Sequence, residues 1–257
     1  MSIKIKKILE KKNKKKIVSL TAYSKNIAKI LDKHCDITLV GDSLANVLYG
    51  MKNTHKLSLN TVIHHSISVR AATKNSLMVV DMPKGSYSNP IQAKKNAKLL
   101  KKKTKCDAVK IESNKKNFKI IREIIKAKIP VMGHIGLRPQ SVHTMGGYKV
   151  QRDEERLLSD ALAVQQAGAF SVVLECVPAE LAEKITEQLE IPTIGIGAGN
   201  QCDGQVLVLT DMLGLTPEAP RFVKQYADLQ NIISTAATQY RQEVESGDFP
   251  GSEHSYK

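Results

Sequence analysis

CDAVKIESNKKNFKIIREIIKAKIPVMGH, residues 106–134, is the stretch that decides the fold. It opens with an apolar run, CDAVKIE at 106–112, that ends in an acid. A helical stretch follows over Lys116–Ala127, and a second run, IPVMGH at 129–134, comes after it. The Ile-Pro pair at 129–130 sits where a strand begins, a place that tolerates a missing donor. Neither run alternates polar with apolar, as expected of strands covered on both faces. The stretch reads as a strand–helix–strand unit of a parallel sheet.

The same event recurs in both directions. Toward the N-terminus lie IVSLT at about 17–21, ITLVGD at 37–42 and SLMVVD at 76–81. Toward the C-terminus lie AFSVVLE at 169–175, IPTIGIG at 191–197 and a weaker QVLVLTD at 205–211. Helical stretches alternate with them: Tyr23–Asp32, Leu59–Thr73, Pro90–Thr104, Arg152–Ala167 with Gly168 as its cap, and Pro178–Leu189. Eight such runs predict one (β/α)8 barrel, a TIM barrel of the α/β class, over residues 1–257. An open doubly wound sheet is the rival, but it usually shows G-x-G-x-x-G after its first strand, where this chain has Thr21-Ala22-Tyr23. Ile3, Ile5 and Ile8 predict one face of a short N-terminal helix. Residues 220–247 read as a C-terminal helical extension, and GDFPGSEHSYK as an irregular tail or a segment packed on a neighbouring subunit.

Composition narrows the class. The 257 residues are 42% hydrophobic, with no Trp and 4 Phe, so the core rests on aliphatic side chains. No apolar run approaches the roughly 18 residues of a spanning helix, and MSIKIKKILEKKNKKK lacks the apolar centre of a secretory signal. No membrane partner is expected. Cys35, Cys106, Cys176 and Cys202 form no CxxC pair, which suits four reduced thiols in a cytoplasmic protein.

The net charge is +14, unevenly spread. Residues 1–150 hold 32 Lys and Arg against 8 Asp and Glu; residues 151–257 hold 7 against 17. A basic RNA-binding protein is one reading. However, the lysines come as KKNKKK and KLLKKKTK without aromatic interleaving, and Arg is confined in that part to Arg70, Arg122 and Arg138. A solvated lysine surface is the plainer reading, and no nucleic-acid partner is expected.

In a barrel the strand ends converge at one face. Here they carry Asp42 and Ser43 after the second run, Asp81 after the third, Lys110 and Glu112 two apart on the fourth, His134 on the fifth and Glu175 on the sixth. Asp42, Asp81 and Glu112 are hard oxygen donors with no Cys or clustered His beside them, which suits magnesium. Such an ion would chelate a substrate carboxylate and the adjacent carbonyl, stabilising an enolate. Helix capping and turn roles are the plainer alternatives for the aspartates. Lys110 suits a substrate oxygen or a structural salt bridge. Glu175, after an apolar run, suits a tuned base or a group that orients another side chain. His134 is a candidate donor to substrate or a structural histidine. GIGAGN at 195–200 lies where barrels often hold phosphate but lacks phosphate-loop spacing, and HTMGGYKVQ at 143–151 reads as a loop over the pocket.

The chain resembles the ketopantoate hydroxymethyltransferase family. The resemblance is carried by LTAY (20–23), VGDSL (40–44), DMP (81–83), VKIES (109–113), GHIGLRPQSV (133–142), GGYKVQ (146–151), LECVP (174–178), IGIGAGNQCDGQVLV (194–208) and VESGDFPGSEHSY (244–256). It implies one-carbon transfer from 5,10-methylenetetrahydrofolate, a reduced folate, to 3-methyl-2-oxobutanoate through a magnesium-stabilised enolate. The products would be 2-dehydropantoate, on the pantothenate route to coenzyme A, and tetrahydrofolate. It implies magnesium on Asp42, Asp81 and Glu112, oxo-acid contacts from Asp42, Ser43, Asp81 and Lys110 with His134 nearby, and Glu175 as proton acceptor. It also implies a cytoplasmic homo-oligomer, commonly a decamer. A magnesium-dependent oxo-acid lyase or mutase of a related barrel family is the alternative enzyme. The chain departs from the family pattern at VLYG (47–50), at Lys84 after DMP, at Arg138 in LRPQ and in its lysine-rich outer helices.

Overall fold

The computed structural model describes residues 2–256. Eight parallel strands close into a barrel in sequence order, β1 (Ile17–Thr21), β2 (Ile37–Val40), β3 (Leu77–Asp81), β4 (Ala108–Glu112), β5 (Val131–Gly136), β6 (Ser171–Glu175), β7 (Thr193–Ile196) and β8 (Gly204–Leu207), with β8 returning to pair with β1. The helices are α1 (Ile3–Leu9), α2 (Lys25–Leu31), α3 (Leu44–Val47), α4 (Leu59–Arg70), α5 (Pro90–Thr104), α6 (Phe118–Lys126), α7 (Glu154–Gln166), α8 (Ala179–Gln188), α9 (Leu209–Met212) and α10 (Leu229–Ser246). The expected TIM barrel is present. The chain forms two compact units divided after Val208. The first holds α1 and all eight strands. The second holds α9 and the 18-residue α10, which has no buried residue.

Strand β8 is shorter than its sequence run: Leu209–Met212 is helical rather than extended. Within 220–247, only Leu229–Ser246 is helical. Gly168, with φ +94°, follows α7 in a backbone region that disfavours side chains, as its capping role requires. Among the described residues no helix is long and apolar enough to cross a membrane, and the four cysteines are free.

Alternation places every second strand residue inside the barrel. Ile17, Ile37, Leu39, Leu77, Val79, Ala108, Met132, Val173, Ile194 and Val206 form its apolar filling, and Ile5 and Ile8 of α1 join the same cluster. Helix α1 therefore plugs the end where strands begin. Ile3 does not share that face; it is 74% exposed. A seven-residue helix crossing a round opening can turn only its middle inward.

Ion pairs fasten the plug. Asp36, Asp107 and Asp203 each stand one residue before a strand, and each accepts an amide of the preceding strand: Val18 at 2.9 Å, Met78 at 2.9 Å and Thr193 at 2.9 Å. Each also meets a lysine of the N-terminal segment. Lys11 bonds Asp36, Lys4 lies 3.7 Å from Asp107, and Lys12 lies 2.8 Å from Asp203. Lys16 bonds the carbonyls of Asn200 and Cys202. KKNKKK is thus partly a structural clamp, against the solvated surface expected of it.

Asp203 is the most loaded of the three. It also takes the Asn13 amide and the Thr193 hydroxyl. Asp203→Ala is expected to cost about 3–5 kcal/mol, because it removes the buried carboxylate that pairs with Lys12 and leaves the Thr193 amide without its acceptor. Asp203→Asn should cost less. Urea denaturation checks both, and a loss below about 1 kcal/mol for the alanine variant would show that the clamp is a surface pair.

Candidate active site at the strand ends

The last inward-facing residues of β3 to β6 are polar, and strand register puts them side by side. Asp81 is level with Lys110, Glu112 with His134, and Gly136 with Glu175. Gly136 adopts φ +88°, and a Cβ there would lie 2.2 Å from the Glu175 carbonyl oxygen, so only glycine lets β5 pass the end of β6. Asp42 and Ser43 lie just beyond β2, leading into α3.

Side-chain bonds knit these groups together. Lys110 Nζ donates to Asp81 Oδ1 at 2.7 Å, and the Asp42 amide donates to Asp81 Oδ2 at 3.0 Å. Glu112 accepts the Gln140 amide at 2.5 Å and the Ser141 hydroxyl at 2.7 Å. Gln140 Nε2 donates to Asp42 Oδ2 at 2.9 Å and to the Met82 carbonyl at 3.0 Å, while its Oε1 accepts the Tyr87 hydroxyl at 2.6 Å. Ser43 Oγ shares a hydrogen bond with the Tyr23 hydroxyl at 2.7 Å. Asp42, Asp81, Lys110, Glu112 and His134 are all buried. The Glu175 side chain is recessed but 17% exposed. His134 Nε2 lies 3.1 Å from Glu175 Oε2, yet out of line, so the nitrogen is buried without a hydrogen bond.

Charge states follow from these surroundings. Burial pushes the Asp81 carboxyl up, and the Asp42 charge adds to this while Lys110 opposes it. Burial alone would discharge Lys110, but Asp81 and Asp42 outweigh it and hold the ammonium above the ordinary lysine range. Burial raises Glu112 to about 7, against its hydrogen bonds from Ser141 and Gln140. Burial lowers His134 to about 3, with the Lys110 charge adding, so its imidazole is neutral. Burial raises Glu175 to about 8, with Lys110 opposing.

Asp42, Asp81, Glu112, Lys110, Ser43, His134 and Glu175 thus gather at one end of the barrel. Gln140, Ser141, Tyr23 and Tyr87 tie them together and were not anticipated as site residues. Their only sequence signal is position: Gln140 and Ser141 follow β5 in LRPQS, and Tyr23 follows β1. The GIGAGN turn is tied down by Lys16 and Gln205, which bond the carbonyls of Gly199, Asn200 and Cys202.

The donor set fits a hard divalent cation. Three buried carboxyl groups stand beside one ammonium and a neutral imidazole, so hard oxygen donors outnumber the cations around them. The fit lies in chemistry and charge. Among the described residues no three acidic, His or Cys side chains converge into a ready cage, because most of these carboxylate oxygens already accept protein hydrogen bonds.

Known proteins resemble this chain closely. A family model described as ketopantoate hydroxymethyltransferase matches residues 2–252. A 3-methyl-2-oxobutanoate hydroxymethyltransferase of Pelagibacter ubique is 51% identical over 258 residues, spanning 100% of both chains. One of Anaplasma marginale is 46% identical, spanning 100% of this chain and 94% of its own. Among solved structures, 2,3-dimethylmalate lyase, a PEP mutase/isocitrate lyase superfamily member, aligns with TM-score 0.63 at 14% identity over 100% of this chain and 93% of that one. At that identity the likeness is one of fold.

The Asp81–Lys110 pair offers a test of the cluster. Lys110→Met should destabilise the protein by about 3–5 kcal/mol, because it leaves a buried charge unpaired. Adding Asp81→Asn should recover part of that loss. Urea denaturation in the presence of a chelator measures the cycle; strictly additive losses would mean that the two side chains are not coupled.

Proposed function

The chain belongs to the ketopantoate hydroxymethyltransferase family, and on that footing we propose how its strand-end cluster moves a one-carbon unit onto 3-methyl-2-oxobutanoate. The donor is 5,10-methylenetetrahydrofolate, and the products are 2-dehydropantoate and tetrahydrofolate. One observation carries the reading: carboxylates, an ammonium and a neutral imidazole share one barrel mouth in a chain matched to the family from residue 2 to residue 252.

The oxo acid has one readily lost carbon-bound proton, on the carbon that bears both methyl groups and adjoins the carbonyl. Glu175 accepts that proton. Negative charge moves to the carbonyl oxygen, where the Lys110 ammonium stabilises it. Asp81 and the Asp42 amide hold Lys110 and its partner in place. Ser43, fixed by Tyr23, and His134 bind the oxo-acid oxygens. Asp42, Asp81 and Glu112 would hold magnesium, which when bound would supply Lewis-acid polarisation of the substrate carboxylate and carbonyl. The deprotonated carbon then bonds to the methylene carbon of the donor. Both bonds from that methylene to nitrogen break, and water provides the new hydroxyl. The two freed nitrogens take one proton from the oxo acid and one from water, so the balance closes.

The exposed apolar row Ile232, Ile233, Tyr240 and Val244 on α10, 46–58% exposed, supports a homo-oligomer as part of the same reading.

Purified protein with 3-methyl-2-oxobutanoate, methylenetetrahydrofolate and magnesium should form 2-dehydropantoate. Folded protein that forms none rejects the named reaction. Glu175→Gln should retain oxo-acid binding and lose about 10²–10⁴-fold in kcat. In the parent, kcat/KM should rise with pH toward about 8, where Glu175 ionises, and this limb should vanish in the variant. Stability should show the opposite trend. A carboxyl raised from 4.5 to about 8 contributes stability that is full below 4.5 and lost as pH climbs through 8. The thermal advantage of Glu175→Gln over the parent should therefore grow between pH 5 and pH 8. A flat difference would deny that Glu175 is held protonated.

A further inference from the structure

Beside the strand-end cluster lies a cavity of about 180 Å³, lined by Glu112, Gln140 and Ser141 on one side and by Tyr87, Lys84 and Arg138 as well. The first four belong to the network already described. Lys84 and Arg138 do not. Arg138 is half-buried; its carbonyl accepts the Ser141 amide, but among the described residues its guanidinium takes part in no hydrogen bond or ion pair. Among the described residues the Lys84 ammonium meets only the His55 ring, 3.2 Å from Nε2. Among the described residues no carboxylate forms an ion pair with either cation. A guanidinium that is half-buried and unpaired loses hydration without gaining a partner, which is the arrangement of a receptor for an anion.

We propose that Lys84 and Arg138 seat the carboxylates at the glutamyl end of the one-carbon donor, with the cavity taking that arm. This rests on the hydroxymethyltransferase reading above. The two cations match the two carboxylates of a glutamyl group, and the Arg138 fork suits bidentate carboxylate recognition. The volume is below the roughly 300–1,000 Å³ that holds a whole drug-sized ligand, so it suits one arm of a larger molecule. Glu112, which also lines the cavity and belongs to the cluster, disfavours an anion beside it, so the carboxylates are held by Lys84 and Arg138. Tyr87 supplies an aromatic surface beside the arm, fitting the aminobenzoyl ring that precedes the glutamyl group.

Calorimetry on the full chain tests the proposal without turnover. The probe is p-aminobenzoylglutamate, compared with p-aminobenzamide, which lacks the carboxylates. The parent should bind the first at least about tenfold more tightly. Lys84→Met with Arg138→Thr should abolish the preference, and Arg138→Lys should restore part of it. Circular dichroism confirms that the variants are folded. In turnover assays the loss should fall on KM for the folate donor, with KM for the oxo acid unchanged. Equal binding of the two probes by the parent, or an unchanged preference in the double variant, overturns the proposal. Displacement of p-aminobenzoylglutamate by equimolar inorganic phosphate also overturns it, because the seat would then serve any small anion. Failure of the reaction itself appears separately, as absence of 2-dehydropantoate in the parent.

Discussion

Strand β8 hydrogen-bonds back to β1, with Val18 level with Gln205 and Ser19 with Val206. A sheet closed this way has no edge, so its interior can be reached only from the two ends. Leu39, Val79, Met132 and Val173 are part of the filling between them. Polar side chains on inward-facing positions must therefore gather at an end. At the strand starts Ile5 and Ile8 of α1 cover the apolar filling, and the acids there are paired with lysines. Among the described residues no hydrophobic helix of that kind joins the filling at the strand ends. Asp81, Glu112 and His134 are buried there. The division of the barrel into a stable end and a reactive end follows from closure and from the sequence of each strand's last inward residue.

The lysine excess resolves into groups with different physics. Lys4, Lys11, Lys12 and Lys16 tie α1 and the segment after it to strand-start acids and carbonyls, so they support the fold. Lys110 is buried, and its charge is kept by Asp81 and Asp42. Lys84 and Arg138 border the cavity beside the cluster. Net charge sums these groups and so conceals them. Even before any geometry is known, the low arginine content of residues 1–150 argues against nucleic acid, since lysine alone gives little base readout.

The fold was legible because each strand run carries its own evidence: an apolar stretch that fails to alternate, a polar end and a helix after it. The same pattern exposed Asp42, Asp81, Glu112 and Glu175, since the end of a run is a local property. Parity exposed Lys110 and Glu112 as neighbours, and both are buried on β4. What lies beyond the strand ends was not legible. Gln140 meets Asp42, Glu112 and Tyr87 through bonds spanning 98, 28 and 53 residues, and no local pattern encodes such reach. Strand β8 was misjudged for a related reason. Leu209-Thr210-Asp211 has strand-like composition, but the ladder to β1 ends at Leu207 and the chain turns into a helix. Tertiary pairing, not propensity, sets that boundary.

The mouth also shows why such a site costs stability. A buried nitrogen without a hydrogen bond costs about 1–3 kcal/mol, and His134 Nε2 is in that state, 3.1 Å from Glu175 Oε2. A protonated imidazole would pair with an ionised Glu175 and relieve both. Burial and the Lys110 charge forbid it by holding His134 near 3. Lys110 therefore does two things at once: it neutralises Asp81, and it keeps His134 from becoming the cation that would quench Glu175. A neutral His134 leaves the glutamate with no permanent partner, so its carboxyl, held near 8, remains free to exchange a proton. Burial, with the Lys110 charge adding to it, thus keeps a base from being locked into a salt bridge, and the arrangement is less stable for that reason than an apolar core of the same shape would be.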